Sequence, residues 1–533
     1  MGCTPSKVVA AEPPPRDGLP GPTGAPRNTS FAAHGRWPDR FAHERAKICI
    51  VGAGACGLLM ARKLQKMGYQ HVHVYEQAGR VGGYATTIEV DGRYFDVATK
   101  YIPTATAHGK GAIPPFQEIM DEYQAKHGFT YEKTPGIGFY SSEEKAPLTL
   151  PPQLEKFSPL QIVQELIAGF DMVFKLYHSV GVGSVIEDGI ALPGETCEEW
   201  AKRNNLEAFG IVCALIQDAF GAGPTLDGSA AWHMSYREHY IVAGIYKVLH
   251  GALNAGGLKG LGVQLITMVK AHPVLKELLD EQLDDYVVFT KGFENFWKLM
   301  HQVEQINVSL NTAVTSIAPA VDGRVQVASN RDGTEAASEL YDTVIVTTPP
   351  KVYDRFLPTG HPMLQLAREC ANDQGIEVWL VRVGKSWDAA RFGTDAAAFI
   401  LTGQGKHLAT HDMPRNGKVY ALSKAYADSD VVCALAYKDP ALPALPEARE
   451  AKENVLIESM RTDADLEVTT VIGVWDFAVW PTQVPAAAEK AGWYTKVKEL
   501  QGKDGIFFLG EHLFSAGVQS PADCVPEFCE AHF

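Results

Sequence analysis

Lys47-Ile48-Cys49-Ile50-Val51-Gly52-Ala53-Gly54-Ala55-Cys56-Gly57 is the stretch that decides the fold. A short apolar run passes straight into a glycine-punctuated turn, the pattern of a buried parallel strand. Leu58 to Met67 then reads as a helix with Leu58, Ala61, Leu64 and Met67 on its buried side, and Gly68 is placed to stop it. A second strand follows from His71 to Glu76. The turn itself is GxGxxG. With 49 glycines in 533 residues, about 0.4 chance matches to that motif are expected, so the flanks carry the argument. They are a strand, a helix, and an acid, Glu76, 19 residues after Gly57. In that setting Gly52 permits the tight turn, and Gly54 lets a pyrophosphate approach the backbone. Gly57 lets helix and strand pack closely, and Glu76 is placed to accept from ribose hydroxyls. Ala55 and Cys56 complete the phosphate turn at the helix N-terminus.

Size and composition bound what surrounds this unit. At 533 residues the chain exceeds one ordinary core, and two or three domains are expected. Its 46% hydrophobic and 21% charged residues are those of a soluble globular protein. A formal charge of −15 repels phosphate backbones, and no basic stripe offsets it, so nucleic acid is excluded as a partner. The best apolar stretch, Gly251 to Val269, is broken by Asn254, Lys259 and five glycines, which argues against a spanning helix. Nine cysteines form no CxxC pair and no signal-peptide apolar region precedes them, so reduced thiols facing the cytosol are expected.

Residues 1–45, rich in Pro, Gly and Ala, read as a disordered tail. The segment 101–285 reads as mainly helical, with Gln161 to Leu176, Cys197 to Arg203 and Glu207 to Phe220 at helical spacing. Val325-Gln326-Val327 and Val344-Ile345-Val346 read as strands separated by the turn at Asp332-Gly333. The runs Glu377–Val383, Val419–Leu422, Val431–Ala436 and Val468–Trp475 suggest an antiparallel sheet. Ile506 to Leu509 returns to a strand, followed by a loop and a helix. The expected fold is therefore α/β: a discontinuous Rossmann-like dinucleotide domain (46–100, 286–350 and 501–533) with an α+β substrate lobe (101–285 and 351–500).

The residues after Glu76 narrow the ligand. Glu76-Gln77-Ala78-Gly79-Arg80-Val81-Gly82-Gly83 is ExxxRxGG and resembles the second FAD signature of the flavin amine oxidase superfamily. Arg80 offers bidentate donors to a pyrophosphate, and Gly82-Gly83 leaves room for a ribityl chain. Tyr84 stands where members of the superfamily usually carry a second Arg. Three further stretches fit in the expected order. Tyr94 to Thr99 resembles the strand that passes the flavin, with Ala98 in place of Gly. Asn311 to Ile317, with Tyr341 to Pro350, resembles the segment in which the residue matching Val314 meets the adenine through its backbone. Phe508-Leu509-Gly510-Glu511 with Gly517-Val518-Gln519 resembles the closing motif over the ribityl chain and the pyrimidine edge.

Within the superfamily, Ala491 to Val497, Gln501-Gly502-Lys503 and the WP of Trp475 to Pro481 resemble polyunsaturated fatty acid isomerases and their cyclopiazonate-dehydrogenase-like relatives. That resemblance implies a non-covalent FAD, since no counterpart of a flavin-anchoring cysteine is found. It also implies a hydrophobic substrate, such as a polyunsaturated lipid, giving hydride from an activated C–H, with the hydride returned to move a double bond in an isomerase. A net dehydrogenase or oxidase of an apolar or amine substrate is the alternative, and a flavin-binding membrane module with reduced catalysis is a further one. Gln374 to Val383 contains no Lys, which speaks against plain amine oxidation. Lys100 and Tyr101, just after the strand expected to pass the flavin, are the candidate substrate-facing residues. The resemblance places Phe139 where the bacterial isomerase uses an Arg for the carboxylate, leaving Lys100 or Arg237 to take that task.

Two weaker features remain. His71-x-His73 lies on one strand face with no further ligand at matching spacing, so no metal is expected, and Trp475, Phe477, Trp480 and Trp493 read as core. Met1-Gly2-Cys3-Thr4-Pro5-Ser6 matches the N-myristoylation pattern at Gly2, with Cys3 placed for palmitoylation. Two chains would anchor the protein stably at the cytoplasmic face of a membrane. A coil-like tail of this length spans roughly 35–40 Å.

Overall fold

The computed structural model describes residues 28–29, 43–97, 102–103, 115–134, 137–147, 152–176, 179–219, 221–235, 286–335, 338–370, 375–384, 392, 397–401, 415–477, 481–514, 517 and 519–533. The decisive stretch forms the centre of a five-stranded parallel sheet. Its strands are β1 (Lys47–Val51), β2 (His71–Tyr75), β3 (Asn307–Ser309), β4 (Thr343–Val346) and β5 (Ile506–Phe508). They lie in the order β3-β2-β1-β4-β5. Sequence neighbours β1 and β2 pair directly, whereas β4 and β5 arrive from far along the chain to close the other side. The dinucleotide unit is thus assembled from three separated segments.

Helix α1 (Ala55–Lys66) links β1 to β2 and ends where Gly68 takes a φ of 99°. It is buried more widely than a single apolar stripe implies. Leu59, Met60 and Arg62 are inside along with Leu58, Ala61 and Leu64, while Met67 is only half-buried. The cause is a second helix, α2 (Gln519–His532), packed beside it, with Cys529 Sγ 3.4 Å from Met60 Sδ. A third helix, Phe293–Val303, adds Phe293, Phe296, Trp297 and Met300 to the same core.

The second layer system is a seven-stranded mixed sheet in the order Val468–Phe477, Ile376–Val383, Val431–Tyr437, Val419–Ser423, Ala397–Leu401, Ile137–Ser141, Ala146–Pro147. Its four expected strands pair antiparallel, and the Ile137–Ser141 strand joins it parallel to Ala397–Leu401. The strand Ile376–Val383 shows how the layers form: Ile376, Val378 and Leu380 face a core shared with the helices Pro159–Leu176, Cys197–Arg203 and Glu207–Ala219. Trp379, Val381 and Val383 face the opposite core under the helix Arg449–Asp463.

Several expectations need correction. Asp332-Gly333 closes a hairpin between Val325–Arg331 and Thr334–Glu335, and Val344–Val346 belongs to a different sheet altogether. The segment 101–285 carries short strands beside its helices, and it is not wholly part of the lobe. The helix Pro115–His127 packs Phe116, Met120 and Tyr123 into the dinucleotide-side core, as do Met363, Leu364, Trp493 and Val497 from the segment 351–500. Apolar spacing identified helices here without revealing which layer each would cover. Trp493 therefore lies apart from Trp475 and Phe477, which pack on the lobe core, and Trp480 falls outside the described residues.

Candidate dinucleotide site

The carboxyl ends of β1, β2, β4 and β5 open on one crevice, the place where parallel α/β sheets receive ligands. Gly52, at a φ of 104°, donates its N–H to Tyr75 O at 2.8 Å and turns the chain out of β1. Ala53 is fully buried and bonded at both ends. Its N–H reaches Glu76 Oε2 at 2.8 Å, and its carbonyl accepts from Gly82 N at 2.8 Å. One peptide thus joins the glycine turn, the end of β2 and the second glycine loop. Glu76 also accepts from Ala78 N at 2.8 Å, remains half-buried, and so keeps capacity for further donors.

Gly57 needs its missing side chain for packing: a Cβ there would sit 2.0 Å from the carbonyl oxygen of Gly52. Gly54 is different. A Cβ on it would meet only the Gly83 Cα, at 3.7 Å, so its front faces open space. It stands at the start of α1, where no side chain caps the helix, leaving uncapped N–H donors and the positive end of the helix dipole toward that space. Ala55 and Cys56 follow it half-exposed. Gly83, at a φ of 58°, lies so close that its own Cβ would fall 2.9 Å from the Gly54 Cα. The two glycine loops therefore form one floor.

Arg80 does something the sequence did not suggest. Its Nη1 donates to Ala85 O at 2.8 Å, and its Nη2 donates to Gly83 O at 3.0 Å and Thr86 Oγ1 at 2.8 Å, with Glu294 3.8 Å away. The expected bidentate fork toward a pyrophosphate is turned onto the loop it belongs to, bracketing Tyr84 from both sides. Tyr84 itself sends its ring into the lobe core, edge-on to Phe477 at 5.9 Å. Gln77 is exposed.

The remaining candidates sit on other elements. Val314 lies in the strand Thr312–Pro319, where a bulge between Val314 and Ser316 leaves Thr315 unpaired and frees backbone for a ligand. After β5, Glu511 Oε1 accepts from Thr482 N at 2.9 Å, its carbonyl accepts from Trp232 Nε1 at 2.9 Å, and burial lifts its carboxyl to about 7. Gln519 opens α2. Lys100, Tyr101, Val518, Ala98, Arg237, Gly2 and Cys3 fall outside the described residues.

His512 carried no signal in the sequence analysis. It is fully buried beside Gly510, Trp493 and Tyr353, and burial lowers its pKa to about 3. Neither ring nitrogen has a partner, nor do Thr348 Oγ1 and the Tyr84 hydroxyl. Buried polar atoms are normally satisfied, so the orphans at Thr348, beside Gly52, and at His512, beside Gly510, fit a polar ligand seated at this end of the sheet. An FAD fits the residues present on both counts, the unfilled front of Gly54 and the unpartnered polar atoms.

His73 bonds Tyr341 Oη and Ser309 Oγ at 3.0 and 2.8 Å, a structural role, and no metal-binding group of three appears among the described residues. The eight described cysteines form no disulfide with one another.

Comparison with known proteins gives the same outline. Residues 50–122 match the family model of an NAD(P)-binding Rossmann-like domain. Across 92% of this chain and 100% of its own, the CLA-producing fatty acid isomerase from P. acnes superposes with a TM-score of 0.65 at 16% identity. The two share a fold. Putrescine oxidase shares it over 91% of this chain and 97% of its own, at 15% identity and a TM-score of 0.56. A putative protoporphyrinogen oxidase from Exiguobacterium sp. covers 91% and 98%, at 14% identity and 0.57. Polyenoic fatty acid isomerase of Ptilota filicina is 44% identical over 52 residues, a stretch spanning 10% of each chain.

Proposed function

We propose that the chain is an FAD-dependent oxidoreductase or flavin-dependent isomerase acting on a hydrophobic substrate. The observation that carries this reading is the crevice itself: two glycine loops in contact, an open front at Gly54 and unpartnered buried polar atoms at Thr348 and His512. The likeness in fold to a fatty acid isomerase supports it. Glu76 would hold the ribose diol, the α1 N-terminus with Gly54 the pyrophosphate, Val314 the adenine through its backbone, and Gly510, Glu511, Val518 and Gln519 the remaining length. When bound, the flavin supplies a hydride acceptor that no side chain offers.

What the protein adds is orientation and dryness. The lobe-facing positions of the Ile376–Val383 strand are Ile376, Val378 and Leu380, and Phe139 is buried in the same core. The strand's one carboxylate, Glu377, points to the other face and is paired there with Lys452. The substrate this reading takes is an apolar chain, with an allylic or doubly allylic C–H as the hydride source. In an isomerase the hydride returns to a different carbon with no net redox change. In a dehydrogenase an external acceptor takes it. Lys100 and Tyr101 are the proposed substrate-facing polar residues.

Anaerobic incubation with linoleic acid separates the readings. Conjugated-diene absorbance without an added acceptor supports the isomerase, and flavin bleaching without dienes supports the dehydrogenase. A folded protein that cannot be reconstituted with FAD overturns the proposal. Acylation of Gly2 and Cys3 would hold the enzyme at a cytoplasmic membrane face, where apolar substrates partition. No described helix is long and apolar enough to span a bilayer. Gly2→Ala protein that stays as membrane-bound as wild type would refute the anchor.

A further inference from the structure

A separate cavity, of about 280 Å³, shares no lining residue with the dinucleotide site. It lies between the helix Val182–Glu187, the loop at Pro193, the helix Trp493–Leu500 and the strip after β5. Gly183, Ile186, Pro193, Tyr494, Val497 and Leu513 supply its apolar lining. Its walls are tied together, since Val182 N donates to Leu513 O at 2.9 Å and the Lys498 ammonium meets Glu187 Oε1 at 3.1 Å. That ion pair occupies two of the charged groups on the wall. The buried Glu489 has one oxygen bonded by Ser229 Oγ and the other by Gly194 N, and Gln501 spends both ends of its amide on the Phe508 main chain. Lys490 is exposed to solvent. Most of what is left for a guest is therefore apolar. Beside Pro193, on the rim, Leu192 stands 49% exposed, and an apolar guest would shelter it.

The chain itself supplies such a guest. Asn28–Thr29 pairs in parallel with Ser179–Val180, which runs through Gly181 into the helix Val182–Glu187, and it touches that helix as well. Residues 1–27, outside the described residues, therefore lead from the wall of the cavity to Gly2. A coil-like segment of that length reaches roughly 25–30 Å. A group tethered so closely has an effective concentration in the millimolar range. One myristoyl chain binds a bilayer with a constant of only about 10⁴ M⁻¹, so a modest seat within the same molecule competes with lipid. Resting on the acylation of Gly2 proposed above, we infer that this cavity seats the Gly2 acyl chain when the protein is off the membrane. A singly acylated protein is then held in reserve in solution, and a second chain, on Cys3, shifts the balance to the bilayer.

The test uses the full chain as Cys3→Ser, acylated by co-expression with an N-myristoyltransferase and confirmed by intact mass, so that one chain alone is present. Its partition onto phosphatidylcholine vesicles should be weak. Ile186→Glu puts a charge into the cavity wall, and Leu192→Glu puts one on the exposed rim. Each should raise vesicle partition about tenfold, the gain from freeing a chain that is seated about nine-tenths of the time. Leu192→Glu changes an exposed side chain, so it decides the matter should Ile186→Glu misfold. The same substitutions on a Gly2→Ala background control for the added charge and should bind no vesicles. A diazirine carried on the acyl chain should crosslink within one molecule to peptides from Gly183 to Pro193 or from Tyr494 to Gln501. Crosslinks confined to other segments or to a second copy overturn the seat, as does acylated protein whose partition neither variant changes. A Gly2 that the transferase leaves bare overturns the anchor and the seat together, whereas acylated protein with the chain found elsewhere overturns the seat alone.

Discussion

The carboxylate of Glu76 accepts the main-chain N–H of Ala53 at 2.8 Å, so the acid at the end of β2 is part of the glycine turn at the end of β1. Ala53 passes the constraint on, because its carbonyl holds Gly82 N. An acid in this position is thus a structural member of the crevice before any ribose arrives. The crevice is preorganised by backbone bonds, which limits the ordering that binding must still bring about.

Replacing Glu76 should therefore have two separable effects. Glu76→Ala removes the acceptor for both Ala53 N and Ala78 N, and the apoprotein should lose about 2 kcal/mol in denaturant unfolding. Glu76→Gln keeps one acceptor oxygen and should recover part of that stability, while its FAD affinity stays well below wild type. Equal apoprotein stability in all three would show that the Ala53 bond contributes nothing.

The two glycines of the turn should respond oppositely to the same methyl group. Gly54→Ala places its Cβ 3.7 Å from the nearest heavy atom, and φ is −75° there, so the apoprotein should fold with an unchanged midpoint while FAD binding is lost. Gly57→Ala places its Cβ 2.0 Å from Gly52 O, a clash that backbone must move to relieve, and should lower the midpoint sharply or prevent folding. Thermal scans of the two apoproteins check this without any cofactor.

Arg80→Lys tests whether the bracket around Tyr84 matters. A lysine cannot reach Gly83 O, Ala85 O and Thr86 Oγ1 in the planar fork that Arg80 uses. The variant should keep its global stability within about 1 kcal/mol. Its Gly82–Thr86 loop should become open to proteolysis and its FAD affinity should fall tenfold or more. Wild-type protection of the loop in the variant would leave the bracket without consequence.

The turn, the strand and the acid were legible because each is local: glycine spacing, apolar run and acid lie within thirty residues of chain. What could not be read were relations across the chain. Arg80 looked free to face a phosphate because its partners, main-chain carbonyls, leave no trace in side-chain patterns. His512 was invisible because its environment is assembled from Tyr353 and Trp493, more than a hundred residues apart. The lobe boundary was misplaced for a related reason. Phe116 and Trp493 are apolar either way, and only the layer they cover distinguishes dinucleotide core from substrate core.

Buried ionisable groups give a pH profile with a definite sign. Glu489 is 2% exposed, bonded by Ser229 Oγ and Gly194 N, and pushed up by burial to about 7. Its folded pKa lies above the unfolded carboxyl value, so the folded state holds the proton more tightly, and stability falls as pH rises from about 4.5 to 7. His233 and His512 run the other way. Burial lowers both to about 3, so below about 6.5 the unfolded chain takes up protons that the folded chain refuses, and stability falls as pH drops. Where the windows overlap the two slopes oppose each other. Glu511, also raised to about 7, joins the carboxyl slope, and His532, lowered to about 4, joins the histidine slope, so the apoprotein midpoint should rise only gently between about pH 5 and 6.5 and fall steeply at lower pH, where only the histidine slope remains. Glu489→Gln isolates one contribution. It cannot ionise, so its change in stability from pH 5 to pH 8 should be more favourable than wild type's by ~2–3 kcal/mol, whatever fixed cost the lost Gly194 contact brings at every pH. Parallel wild-type and variant curves across that range would mean that Glu489 stays ionised in the folded protein, and the argument from its burial would fail.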